Sequence, residues 1–170
     1  MRGRVALLTT LAATAAVLST IGPKPTTHFI WNVSESAPVG LYRLRPIRKL
    51  AVTELVAVQP SEPLATFLDQ HGYLPRGIPM LKRVLALTGQ TVCRNGLTVT
   101  VDNVQMGKAR EHDRRGRPLP VWQDCHVVAV GEVFLMNWQS MDSLDGRYFG
   151  MMSTDAIVGW AEPLWTKVEN

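Results

Sequence analysis

Hydrophobic positions along this chain fall into one long opening run and then many short blocks separated by turn chemistry. Arg2 and Arg4 precede a segment from Val5 to Ile21 that carries no charge, and Gly22-Pro23 ends it. A positive stub before such a run reads as an export signal or a short membrane anchor, with the arginines on the cytoplasmic side. A buried N-terminal helix is the alternative. We read residues 1–22 as an uncleaved signal anchor and 23–170 as one outer domain.

Beyond the anchor the blocks are short. Thr26 to Val33 reads as a strand, and Ser34 to Gly40 (SESAPVG) as a turn. Leu41 to Leu44 and Glu54 to Val58 read as strands. Ser61-Glu62-Pro63 opens a helix to about His71, with Ser61 as its cap and Pro63 in its first turn. Met80 to Leu87 is the strongest strand, broken only by Lys82 and Arg83. Thr91 to Val101 and Asn103 to Met106 read as strands around turns at Asn95-Gly96 and Asp102-Asn103. Cys125 to Val130 and Glu132 to Met136 are two more, joined at Gly131. Ser140 to Gly150 reads as a loop, and Ile157 to Ala161 as the closing strand. Ala109 to Pro120 contains EHDRRGRP, which reads as an exposed loop, with a phosphate or lipid-headgroup role as the alternative. The domain is therefore mainly β, built of short strands with irregular connections.

Composition agrees with this. In 170 residues, 13 Gly and 11 Pro are spread along the chain, which disfavours a long-helix bundle. With 46% hydrophobic and 19% charged positions, global disorder is excluded. The net charge of +4 owes half to Arg2 and Arg4, so the domain lacks the concentrated charge of a nucleic-acid binder. His28, His71, His112 and His126 lack metal-ligand spacing, so no metal is expected, and with no P-loop or dinucleotide fingerprint no cofactor is expected either. Cys93 and Cys125 form an even pair, which in an exported domain suggests one disulfide; two free buried thiols are the alternative.

Two positions stand out chemically. Lys82 interrupts the apolar strand IPMLKRVLAL, and Arg83 must face the other way if the strand is regular. A desolvated lysine loses proton affinity and can act as a base near neutral pH. The bland reading is that both side chains snorkel to solvent. Ser36 stands on a Pro/Gly turn between two strands, where its hydroxyl is presented and backbone N–H groups could meet an oxyanion; an ordinary surface turn is the alternative.

Three blocks, taken in order, resemble a known family. Ser34-x-Ser36-x-Pro38-x-Gly40-x-Tyr42 resembles a nucleophile box. Lys82-Arg83-Val84 with Gly89 resembles the box that supplies a lysine base. Ser143-Leu144-Asp145-Gly146-Arg147-Tyr148-Phe149-Gly150 resembles the third, and Ile157-Val158-Gly159 also fits. Together they resemble the S26 signal peptidases, in particular the conjugative-transfer, TraF-type pilin-processing branch. The chain departs from leader peptidases near Met136-Asn137-Trp138-Gln139, where an aspartate is absent, and at Gly146, where the family often has serine.

The resemblance implies a signal-peptidase/LexA-like fold of short, mostly antiparallel strands behind one N-terminal transmembrane or signal helix. It implies a serine endopeptidase with Ser36 as nucleophile and Lys82 as base. Ser143 would orient the lysine, and Asp145 and Arg147 would form a supporting ion pair. The oxyanion hole would use the Ser36 backbone N–H and the Ser34 hydroxyl. An extended substrate would lie along a strand edge with small residues before the cut, and Ile78 to Leu81 would line that groove or touch the membrane. The implied substrate is a pilin precursor or another exported preprotein, with possible cyclisation of the pilin and possible contact with a conjugative transfer apparatus. The implied location is the bacterial inner membrane, with the catalytic domain in the periplasm. A general leader peptidase is the second reading, and an anchored β-domain supporting a conjugation or secretion apparatus is the non-enzyme one.

Overall fold

The structure, a computed structural model, describes residues 2–19, 28–47 and 49–167. Helix α1 (Arg2–Ser19) comes first, and its described side chains from Leu7 to Ala15 are exposed. Among the described residues no helix is long and apolar enough to cross a membrane. The end of the apolar run and the first two positions of the first expected strand, Thr26 and Thr27, lie outside the described residues.

The domain then runs β1 (Phe29–Asn32), β2 (Gly40–Arg45), β3 (Leu55–Val58), α2 (Glu62–Gln70) and β4 (Met80–Ala86). A meander follows: β5 (Thr91–Asn95), β6 (Thr98–Val101) and β7 (Val104–Lys108). Last come β8 (Asp124–Val127), β9 (Glu132–Leu135), the short α3 (Gly146–Phe149), β10 (Met151–Ser153) and β11 (Ile157–Thr166). A seven-stranded sheet is ordered β1-β2-β11-β3-β4-β9-β10, and a four-stranded one β7-β6-β5-β8. Among the described residues every strand pair is antiparallel. The mainly β, antiparallel expectation holds.

The burial pattern follows from strand position. β3, flanked by β11 and β4, is buried at all four residues, which is why Leu55–Val58 is continuously apolar. In β6 the alternation is clean, with Val99 and Val101 inward and the threonines at the margin. Helix α2 lays Leu68 against Val56, Val58, Met80 and Val84 of the large sheet. Phe134 and Met136 join Val92, Val99 and Val128 in a core between the two sheets. Cys93 and Cys125 are direct partners in the β5–β8 register and form a disulfide.

Four expectations need correction. Ser61 stands at the N-cap of α2, but its side chain makes no cap hydrogen bond. The closing strand runs on to Thr166 because a bulge between Pro163 and Trp165 absorbs the proline that breaks its pattern. The loop over 140–150 holds the single-turn helix α3, too short to show periodicity. The 109–120 segment is not simply solvated: Ala109 and Leu119 are buried against Tyr148. Asp113 then ties its charged tip, accepting from the Arg115 and Arg117 backbone N–H groups (2.8 and 2.9 Å) and the Tyr73 hydroxyl (2.6 Å).

Candidate active site

β4 carries Lys82 to the centre of the large sheet, and strand alternation separates it from Arg83. The Arg83 guanidinium turns away, donating to the Thr53 carbonyl (2.8 Å) and lying 5.8 Å from the centre of the Trp138 ring. Lys82 points inward and is only 5% exposed. Burial pushes its ammonium down from the ordinary 10.5 to about 8; the Asp145 carboxylate opposes that shift and Arg147 adds to it. The lysine Nζ donates to Ser143 Oγ at 2.9 Å.

Ser143 is itself buried and is held by the Asp145–Arg147 pair. The guanidinium donates to both carboxylate oxygens of Asp145 at 2.9 Å. It donates also to the carbonyls of Ser140 (2.6 Å) and Ser143 (3.1 Å). This pair is almost wholly removed from solvent, so each charge depends on the other. Gly146 follows because nothing larger fits: a Cβ there would lie 2.6 Å from Phe134 Cε2 and 2.7 Å from the Leu135 carbonyl oxygen. The serine often found there in the resembling family is sterically excluded on this backbone unless both the Phe134 ring and the Leu135 carbonyl shift.

Ser36 sits on the turn between β1 and β2. Its Oγ lies 2.9 Å from Ser34 Oγ, and Ser34 Oγ donates in turn to Asn32 Oδ1 at 3.2 Å. The Ser34 hydroxyl is thus engaged with Ser36 and Asn32 in the resting structure. Ser36 and Lys82 make no hydrogen bond to each other. They line one cavity of about 260 Å³, whose walls include Ile30, Val33, Leu68, Leu81 and Leu144. Ile78, Pro79, Met80 and Leu81 line the same cavity, although the side of Ile78 also faces solvent.

Two asparagines complete the site; no motif marked Asn32 in the sequence, and Asn137 stood out only as part of the stretch where the leader-peptidase aspartate is absent. Asn32, buried at the end of β1, braces the serine turn. Its Nδ2 donates to the carbonyls of Ser34 (2.8 Å), Ala37 (2.9 Å) and Pro38 (3.0 Å), while its Oδ1 accepts from the Ser34 backbone N–H at 3.1 Å. Asn137 brackets Lys82: its Oδ1 accepts from the Arg83 N–H (2.9 Å) and its Nδ2 donates to the Leu81 carbonyl (3.0 Å). Its own N–H donates to Asp145 Oδ2 at 3.0 Å, joining the lysine strand to the Ser143 box. A polar residue ending an apolar strand is the only hint the sequence offers of either role. Among the described residues no group of His, Cys, Asp or Glu could hold a metal ion.

The sequence matches the family described as "Signal peptidase, peptidase S26" over residues 1–165. This chain belongs to the S26 signal peptidase family. It is 33% identical over 175 residues to the probable conjugal transfer protein TraF of Sinorhizobium fredii, covering 97% of this chain and 92% of that one. It is 31% identical over 176 residues to a plasmid transfer protein TraF of Escherichia coli, covering 96% of each. Among solved structures, a signal peptidase I from Enterococcus faecalis superposes with a TM-score of 0.40 at 17% identity, covering 67% of this chain and 97% of the other. Within this S26 chain, the three boxes read from the sequence converge at the Lys82 cavity: the serine turn enters from β1–β2, the lysine from β4, and Ser143 from the loop before α3.

Proposed function

We propose that this chain is a membrane-anchored serine endopeptidase that removes a signal or propeptide segment from an exported precursor, a conjugative pilin subunit foremost. The observation that carries this reading is the shared cavity, in which Ser36 faces the same space as a buried lysine whose ammonium is held near pKa 8. Membership of the S26 family supports peptidase chemistry, and the transfer-protein names of the relatives support a precursor from a conjugation system.

In this reading Ser36 Oγ attacks the scissile carbonyl and passes its proton to neutral Lys82 Nζ. The lysine then protonates the leaving amine as the C–N bond breaks. Water attacks the acyl-Ser36 ester, Lys82 takes the water's proton, and the serine recovers it on release. Ser36 Oγ must first turn from Ser34 toward Lys82, a rotamer change at a half-exposed residue. That turn frees the Ser34 hydroxyl to join the Ser36 backbone N–H at the oxyanion. Ser143 Oγ accepts from Lys82 and aims the lone pair of the neutral amine at the serine. With a pKa of about 8, about one lysine in ten is neutral at pH 7. The apolar cavity beside Ser36 takes the small residues before the cut, with the substrate extended along the free edge of β1. The apolar run through Ile21 anchors the chain in the bacterial inner membrane, with the domain in the periplasm.

Co-expression with the pilin precursor tests this. Wild type should yield mature pilin, and Ser36→Ala and Lys82→Ala should leave the precursor intact while remaining folded. Processing that survives both substitutions would refute the assignment in favour of an anchored structural domain. The mass of the product, lower by one water if circular, separates cyclisation from hydrolysis.

A further inference from the structure

A second cavity, of about 550 Å³, also reaches Ser36. Its chemistry differs from that of the apolar one. Arg110, Arg114, Arg115 and Arg117 line it, all delivered by the turn that Asp113 ties down. Three of them have carboxylate partners. Arg110 and Arg114 share the single carboxylate of Asp142, and Arg117 bonds Asp113 at 2.6 Å. Asp113 is further committed to the Tyr73 hydroxyl, which with the arginine and backbone donors holds its carboxyl well below the usual range. Arg115 lies exposed and, among the described residues, makes no ion pair. Glu35 stands on the rim beside the nucleophile. Four guanidiniums thus face three carboxylates, and among the described residues Arg115 and Glu35 are the two that make no ion pair, leaving the lining with an excess of positive charge.

The two cavities meet at Ser34, Ser36, Tyr73, Asp142 and Leu144, which line both. An extended peptide whose scissile carbonyl reaches Ser36 has room to lay one flank in apolar walls and the other among arginines. We infer that the arginine-lined cavity binds the segment of the substrate after the cut and selects for a carboxylate there, with Arg115 as its contact. This rests on the peptidase reading, which assigns the apolar cavity to the residues before the cut. Guanidinium groups suit this because their planar fork meets a carboxylate with two parallel hydrogen bonds. Anionic lipid headgroups are the other chemistry arginines attract, but the shared lining at Ser36 places the occupant in line with a peptide.

The test uses the full chain purified in detergent and peptides with alanine before the cut. One series carries Glu at each of the first four positions after it in turn, and a matched series carries Gln. Wild type should favour a Glu peptide over its Gln partner about three- to tenfold in kcat/KM, less at high salt. In Arg115→Gln the ratio should fall to about one, and Arg115→Glu should favour a Lys-bearing peptide instead. Equal rates on Glu and Gln peptides in wild type would overturn the inference and leave the peptidase reading standing. Should no peptide be cut, equilibrium binding to the Ser36→Ala protein decides: tighter binding of the Glu peptide supports the site alone, and equal binding overturns it. Loss of binding to phosphatidylglycerol vesicles in Arg115→Gln, with equal peptide rates, would assign the cavity to the membrane and overturn the inference.

Discussion

At the scale of single residues, Asn32 does more for the serine turn than its place at a strand end suggests. Its amide satisfies three carbonyls and accepts two bonds from Ser34, so it fixes the backbone that presents Ser36. Asn32→Ala leaves those buried and part-buried groups without their partner, a stability loss of about 1–3 kcal/mol. It should also lower kcat about ten- to a hundredfold, with KM changed much less, because the turn no longer holds its attack geometry. Steady-state kinetics beside a urea titration would check both effects, and wild-type kcat would show the turn holds without the amide. Ser36, Lys82 and Ser143 could be picked out in the sequence as candidates because each sits in a short local pattern, and the structure brings all three to one cavity. Asn32 and Asn137 could not: Asn32 braces backbone carbonyls two to six positions on, which no side-chain pattern marks, and Asn137 meets Leu81 and Arg83 more than 50 positions away. Arg94 was hidden in the same way, inside a segment that reads as an ordinary strand. It is 1% exposed, and its guanidinium reaches from β5 of the small sheet to the Arg147 carbonyl in α3.

At the scale of elements, the loop leading into α3 acts as one unit with β4. Asp145 receives the Asn137 N–H and pairs with Arg147, and Arg147 holds the Ser143 carbonyl, so the hydroxyl beside Lys82 is set by a buried ion pair. Asp145→Asn leaves Arg147 buried without its counter-charge, which should cost about 3–5 kcal/mol. It also removes the charge that raises the Lys82 pKa, so the acidic limb of the rate should move below its wild-type position near pH 8. A denaturation midpoint and a pH profile on the folded fraction test the two halves; a limb displaced upward would contradict the second. Element existence was legible for nearly every strand, since alternation and turn residues mark them. Element length was not: Pro163 argues against continuing β11, and only the bulge beside it shows how β11 still pairs with β2 as far as Gly40. Gly40 permits that approach, because a Cβ there would lie 2.1 Å from the Trp165 carbonyl oxygen.

At the scale of the whole molecule, the small sheet is closed by the disulfide and the large one houses the site. Cys93 and Cys125 join β5 to β8 across a separation of 32 positions, and neither lines the cavity around Lys82. Replacing both by serine should therefore lower stability by about 3–4 kcal/mol while leaving kcat near wild type at temperatures where the fold persists. Guanidinium titration with and without reductant gives the first number, and a matching loss of kcat would show that the small sheet also shapes the site. Stability should also depend on pH through Lys82. Its folded pKa of about 8 lies below the ordinary 10.5, so the unfolded chain binds more protons between those values and wild type gains stability as pH rises through that window. Lys82→Met should flatten that rise. Activation of Ser36 by a buried, neutral Lys82 is read out by the pH dependence of kcat/KM for one peptide, from about pH 6 to about pH 10. The rate should rise about tenfold per pH unit and level near pH 8, with no cleavage by Lys82→Ala at any pH. A flat profile, or a rise that persists in Lys82→Ala, would contradict it.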